Sequence, residues 1–323
     1  MITRTKLAHL PTPVERLPTL SKELDGVNLL IKRDDQTGLA FGGNKTRKLE
    51  YLLSQAQVEN ARLLITTGAG QSNHCRQTAA AAARFGFDCT LVLAGAPPPD
   101  PSANLFLDQL LGAEIVWTNF EERDQTLELV FKEAEESDRQ PFLIPYGGSN
   151  RVGAYAYAVA IQELMKQLPE APDWIVFASS SGGTQAGLVA GKSAFGIESR
   201  ILGISVDEPS EVLKSRVADL AGEVGEVLGE KISFISEDIL VNDHYTGAGY
   251  GVMGDPERKA ILTFARQEGI LLDPVYTGRA AAGLLDLIRQ GFFDWDDTIL
   301  FWHTGGTPGL FADRYINDIL LNR

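Results

Sequence analysis

The sequence is short of the residues and runs that most often settle a function at once. Among its 323 residues are 2 cysteines, Cys75 and Cys89, and 4 histidines, His9, His74, His244 and His303. Two thiols cannot build a disulfide framework, and neither they nor the scattered histidines have zinc-ligand spacing. No apolar run approaches the roughly 20 residues that cross a bilayer, and the opening MITRTKLAHLPTP lacks the apolar core of a signal peptide. A cytoplasmic protein that does not enter membranes is expected. Basic charge is also scarce: 29 Lys and Arg stand against 43 Asp and Glu, a formal net charge of -14. Such a field repels nucleic acid and anionic lipid while leaving room for a local anion site. Also absent are the Gly-Lys-Ser/Thr ending of a phosphate-binding P-loop, the glycine fingerprint of dinucleotide folds, internal repeats and low-complexity segments.

What is present is an alternation of short apolar runs with amphipathic stretches. ARLLITT, CTLVLAG, AEIVWT and PFLIP form one series, each followed by a helical pattern. DWIVFAS, ILGISVD, LLDPVY and TILFWHTGG form another, with helices expected from about Gln185 and around Ser210 to Leu220. The pattern predicts an α/β protein with two open, mainly parallel αβα domains. Residues 1–47 and 161–323 are expected to make the larger domain and residues 48–160 the smaller.

Chemistry concentrates where apolar runs give way to helices. In IKRDDQTGLAFGGNKTRKLEYLL a glycine-bearing loop delivers Lys45 to a helix start, where the dipole is unfavourable for a cation; plain helix design would not put a lysine there. In TTGAGQSNHCRQTAA, Ser72 and Asn73 can cap the next helix or bond a ligand. In FASSSGGTQAGL, consecutive amides and hydroxyls from Ser180 to Thr184 can converge on a phosphate at a helix N-terminus. LLDPVYTG and FWHTGGTPGLF each end in a polar tip, Tyr276-Thr277 and His303-Thr304, expected at the ligand side of a parallel sheet, with Gly305, Gly306 and Pro308 opening the last helix.

Taken together and in order, GGNKTRKLE, GAGQSNHCRQTAA, SSGGTQAGL, GYGVMG, LDPVYTG and HTGGTPGLF resemble the pyridoxal-5'-phosphate (PLP) dependent family of 1-aminocyclopropane-1-carboxylate (ACC) deaminase and D-cysteine desulfhydrase. The similarity runs from about residue 10 to the final helix. It implies the tryptophan-synthase-β fold (PLP fold type II), a homodimer and a small amino-acid substrate. Lys45 then matches the lysine that binds the cofactor covalently, and Ser181, Gly182, Gly183 and Thr184 the phosphate cup. Asn73 is expected on the ring hydroxyl, Tyr276 against the ring and Thr304 at the ring nitrogen. Ser72, Asn73, His74, Tyr250 and Thr277 fall with the substrate-facing residues; Lys45, Ser72, Tyr250 and Tyr276 are the expected catalytic residues, with Lys45, Tyr250 and Tyr276 the candidates for the base that removes the α-proton. ACC deaminases typically carry glutamate where Thr277 stands, which favours elimination from D-cysteine over ring opening. Cys75, where D-cysteine desulfhydrases often have valine, reads as a helix-packing residue. L-cysteate cleavage and a non-catalytic phosphate-ligand sensor are the remaining alternatives.

Overall fold

The computed structural model describes residues 2–320. Its strands are β1 (Val14–Arg16), β2 (Asn28–Arg33), β3 (Leu63–Ala69), β4 (Asp88–Ala94), β5 (Glu114–Thr118), β6 (Pro141–Leu143), β7 (Trp174–Ser179), β8 (Arg200–Ser205), β9 (Leu240–Asn242) and β10 (Thr298–His303). Its α-helices are α1 (Pro18–Glu23), α2 (Asn44–Val58), α3 (Asn73–Phe85), α4 (Ala103–Leu110), α5 (Arg123–Glu136), α6 (Arg151–Met165), α7 (Gly183–Ala194), α8 (Ser210–Leu228), α9 (Asp255–Glu268), α10 (Thr277–Arg289) and α11 (Asp313–Leu320).

The strands form two sheets, ordered β1-β2-β10-β7-β8-β9 and β5-β4-β3-β6. Every pairing is parallel except that of β1 with β2. A strand covered by helices on both faces must be apolar along its length, and Ile175–Phe177, Leu63–Ile65 and Ile299–Trp302 are all buried. The two-sheet α/β architecture expected from the alternation is therefore the one found. Three local expectations need correction. LLDPVY is not a strand but a loop running into a turn before α10. Pro274 has no N–H for a ladder, and the Asp273 carboxylate takes the amides of Val275, Tyr276 and Thr277 at 2.9, 2.9 and 2.7 Å. The helix from Ser210 runs on to Leu228, where Gly229 ends it in the left-handed region at φ 83°. The segment after Gly306 first makes a short 3-10 turn, Thr307–Phe311, and α11 starts only at Asp313.

Helix α2 packs against α6 and α3 and is held from behind by a buried ionic cluster. The Arg47 guanidinium donates to Asp34 Oδ1 and Oδ2 at 2.8 and 2.9 Å and to Glu163 Oε1 and Oε2 at 2.7 and 2.9 Å. Asp34 also accepts from the Tyr157 hydroxyl at 2.6 Å and Trp302 Nε1 at 2.8 Å. Lys32 reaches Glu163 at 2.6 Å, so two cations meet two anions and the desolvation of each is offset by a partner. Arg47 and Asp34 both keep their charge: burial opposes it, but the attraction between them outweighs burial, raising the one pKa and lowering the other.

Candidate active site

The opposite face of α2 opens on a cavity of about 680 Å³, its mouth included, within the usual range of ligand sites. Lys45, Ser72, Asn73, His74, Ser181, Gly182, Thr184, Tyr250, Tyr276 and Thr304 all line it. Residues 205 positions apart, Lys45 and Tyr250, are brought to one wall because the cavity sits where strand ends of both sheets meet the helix starts that follow.

The chain approaches α2 through Gly43, whose φ of 125° only glycine adopts freely and whose Cβ would come 2.7 Å from Gln77 Nε2. The Asn44 amide then bonds the Thr304 carbonyl at 2.9 Å, fixing the start of α2 to the end of β10. Lys45 Nζ donates to the Gly147 carbonyl at 3.2 Å. Lys48, one turn on, donates to the same carbonyl at 3.2 Å and to Ser149 Oγ at 3.0 Å. Among the described residues no aspartate or glutamate lines the cavity. Burial without a counter-charge lowers the Lys45 amine to about 8, the neighbouring Lys48 acting weakly the other way through their hydrogen bond. Burial, reinforced by Lys45, holds Lys48 well below the usual lysine range. His74 is likewise held neutral, by burial and then by the two lysines.

At the other wall, α7 begins at Gly183 after the left-handed Gly182 (φ 82°), so the amides of the turn face the space beside Ser180 and Ser181. Asn44 Nδ2 donates to Thr184 Oγ1 at 3.1 Å, and Ser181 Oγ and Ser149 Oγ lie 2.8 Å apart. Ser72 caps α3, its Oγ accepting from the Cys75 amide at 3.2 Å, which leaves its proton free to donate. Asn73 Oδ1 takes the Asn104 side-chain amide at 3.0 Å, leaving Asn73 Nδ2 as the donor at the cavity. The Tyr250 and Tyr276 hydroxyls are 2.7 Å apart, and burial raises both above the ordinary tyrosine range.

A match to the family described as pyridoxal-phosphate dependent enzyme covers residues 5–305. The chain belongs to that family. A D-cysteine desulfhydrase of Salmonella choleraesuis is 40% identical over 317 residues, spanning 96% of this chain and 95% of the relative. A Pyrococcus furiosus protein provisionally named 1-aminocyclopropane-1-carboxylate deaminase is also 40% identical, over 95% and 93% of the two chains. The crystal structure of an ACC deaminase homologue superposes with a TM-score of 0.91 at 38% identity, over 99% of this chain and 96% of that one. A fungal L-serine ammonia-lyase from Rhizomucor miehei shares the fold at a TM-score of 0.70 and 17% identity.

The cavity suits the family's cofactor on its own geometry. A Cβ on Gly147 would come 2.5 Å from Ser181 Oγ and 3.4 Å from Lys45 Nζ, and one on Gly183 would come 2.4 Å from Ser149 Oγ, so the space between amine and cup exists only because these residues lack side chains. His74 Nδ1 is buried with no protein partner beside it. Gly183 contributes the first position of α7 instead of a lining side chain. Thr277 stands apart from the expected substrate-facing set: it is fully buried, its hydroxyl donating to Asp273 Oδ1 at 2.8 Å, and it does not line the cavity. His303 is also behind the wall, with Nε2 3.1 Å from the Leu271 carbonyl. Cys75 is buried in the core and packs as expected.

Sequence reasoning missed the Tyr146–Ser149 turn, which supplies Tyr146, the carbonyl shared by both lysines and the Ser149 link to the cup. Its signal was the pair Gly147-Gly148 one residue beyond PFLIP; in the fold both take positive φ, 64° and 62°. Lys48 was missed as well, because it reads as an ordinary solvent-facing helix cation, whereas Ser180, expected at the anion site, does line the cavity.

Proposed function

We propose that the enzyme is a lyase that removes the β-substituent of a small amino acid, with D-cysteine as substrate and pyruvate, hydrogen sulfide and ammonia as products. The observation that carries this is a lysine amine held to about 8 in a cavity lined also by Tyr146, Tyr250 and Tyr276 and, among the described residues, by no carboxylate. Lys45 would hold the cofactor covalently, Ser181 to Thr184 its phosphate, Asn73 Nδ2 its ring hydroxyl, Tyr276 its ring face and Thr304 its ring nitrogen. When bound, the cofactor supplies an electron sink that acidifies the substrate α-proton.

This chain's own side chains supply the rest. The Lys45 amine, its pKa brought by burial from the ordinary lysine range to about 8, gives up its proton near working pH and is suited to take up the α-proton. Burial raises the pKa of Tyr250 and Tyr276, which keeps both hydroxyls protonated and favours them as proton donors beside Lys45. The start of α3, with the free Ser72 proton and the amides behind it, suits the substrate carboxylate. A hydroxyl instead of an acid at the ring nitrogen leaves the ring neutral, which restrains transamination.

Two features weigh against the neighbouring activities. Thr277 offers the cavity neither acid nor lining atom where ACC deaminases carry glutamate. Among the described residues Lys45 is the one Lys or Arg that lines the cavity, too few for a sulfonate-reading pocket once the lysine is engaged. The test is the loaded enzyme with D-cysteine, L-cysteine, L-cysteate and ACC, assayed for pyruvate, sulfide, sulfite and 2-oxobutanoate. Sulfide and pyruvate from D-cysteine support the proposal; 2-oxobutanoate alone reverses it, and a colourless protein that still binds a phosphometabolite makes it a sensor. We place the enzyme in the cytoplasm as a homodimer whose smaller lobe is residues 48–160, a reading supported by the family's habit and by the four-stranded sheet drawn from residues 63–143. Light scattering at the chain mass instead of twice that mass would overturn the dimer.

A further inference from the structure

Asn73 lines the cavity, and a side-chain amide can turn either its oxygen or its nitrogen toward a ligand. Which of the two it presents is decided outside the cavity. Asn104, at the start of α4, is fully buried and does not line the cavity. Its Nδ2 donates to the Gln71 carbonyl at 3.0 Å and to Asn73 Oδ1 at 3.0 Å. A backbone carbonyl can only accept, so Gln71 fixes that end of the Asn104 side chain as the NH2 group, with one N–H left for Asn73. Asn73 must answer with its oxygen, and Nδ2 is what remains for the cavity. Gln71 is fixed in the same way. Its Nε2 donates to the Ser102 carbonyl at 3.0 Å, and its Oε1 accepts from the Asn104 backbone amide at 3.0 Å. Between those two backbone contacts Ala103 stands at φ 50°, a left-handed conformation that a residue with a Cβ adopts at a cost and keeps where its neighbours demand it. Each polarity in this chain of bonds is set by a backbone group that cannot reverse.

We propose that Asn104 is a positioning residue of the active site: tied to Gln71, it locks Asn73 with Nδ2 toward the cofactor's ring hydroxyl, so that the ring oxygen meets a donor and is held ionised. The inference rests on the placement of Asn73 at that hydroxyl. Asn104 itself touches neither substrate nor cofactor. An N–H facing the ring oxygen stabilises its anion, whereas a carbonyl oxygen in the same place would accept from the protonated hydroxyl and stabilise that form. Asn104 Oδ1 has no protein partner, so the NH2 end is the one the fold uses. The ionisation of the ring oxygen can be read directly, since the ionised and protonated forms of the bound cofactor absorb in different bands, visible and near-ultraviolet.

The test records, for the wild type, Asn73→Ala, Asn104→Leu and the double variant, the absorption spectrum of the cofactor-loaded protein and the apparent Kd for cofactor added back to the cofactor-free protein. Asn73→Ala removes a hydrogen bond to a charged oxygen and should lower the ratio of visible to near-ultraviolet absorption about tenfold. Asn104→Leu keeps the bulk of the side chain but frees Asn73 to turn, and should lower the same ratio about fivefold, with the Kd rising in parallel. If Asn104 acts through Asn73, the double variant should stay within about twofold of Asn73→Ala alone, because the two residues form one coupled unit. An Asn104→Leu protein with lowered thermal stability but the wild-type spectrum would make Asn104 a brace for the start of α4 and overturn the proposal. Additive losses in the double variant would overturn it as well. An Asn73→Ala protein with an unchanged spectrum would remove Asn73 from the ring hydroxyl; a spectrum moved by Asn73→Ala but by no change at position 104 would sink the positioning role alone. Should Asn104→Leu not fold, Asn104→Ser, polar but shorter, takes its place with the same expectations.

Discussion

The two faces of α2 bury the same kind of charge with opposite consequences. On the face toward β2 and α6, Arg47 meets two carboxylates and keeps its charge under every ordinary condition. On the face toward the cavity, the half-buried Lys45 and the buried Lys48 have only a carbonyl and a serine hydroxyl to receive them. A compensated ion is a clamp, whereas an uncompensated one is a reactive amine waiting for a partner. A few residues of one helix therefore combine the rigid part of the site with its chemical part, and the first is what keeps the second in place.

The comparison breaks most severely at Lys45. Lys45→Ala should abolish the visible band of the cofactor-loaded protein and lower turnover by at least about 10³-fold, in line with the loss of a residue that bonds the reacting centre. Its circular dichroism should match the wild type, because no carboxylate is left unpaired. Retained colour and turnover would move the cofactor lysine elsewhere, with Lys48 the next amine to test.

The reverse result is expected for the other face. Arg47→Met leaves Asp34, which has no exposed surface, without its principal counter-charge. Breaking a buried pair from one side costs about 3–5 kcal/mol, read here as a lowered urea midpoint at constant slope. Activity should fall only as far as the start of α2 shifts, and added cofactor should restore part of the lost stability by mass action. A variant as stable as the wild type would show that the cluster clamps nothing.

The contrast between the faces also marks what the sequence could disclose. Lys45, Ser72, Asn73, Ser181, Thr184, Tyr250, Tyr276 and Thr304 were legible because each sits in a short glycine- or hydroxyl-rich stretch, most of them where an apolar run gives way to a helix, and such junctions gather on one side of a parallel sheet. The clamp was not. Arg47 pairs with residues 13 and 116 positions away, a relation that no local period or spacing records. LLDPVY misled because its apolar letters fit a strand, while one buried carboxylate, Asp273, captures three consecutive amides and turns the chain. The same capture takes Thr277 out of the cavity. Gly147 was passed over because its contribution is a carbonyl oxygen, which every residue has.

The smallest effect is also the most direct measure of the uncompensated face. Cofactor capture needs the neutral amine, and burial has brought Lys45 from 10.5 to about 8. Below that value the amine is protonated and unreactive, and above it the neutral form saturates. The rate at which cofactor-free protein acquires its visible band should therefore rise about tenfold from pH 7 to the plateau and flatten above pH 8–9, since each unit below a pKa cuts the free base about tenfold. An exposed lysine would keep gaining until pH 10–11. Placing a carboxylate behind the cavity wall, beside the two lysines, tests the cause: Ser149→Asp, at the hydroxyl that receives Lys48, should stabilise the ammonium and carry the inflection upward toward the ordinary lysine value. An inflection that stays put would mean that something other than the missing counter-charge sets the reactivity of Lys45.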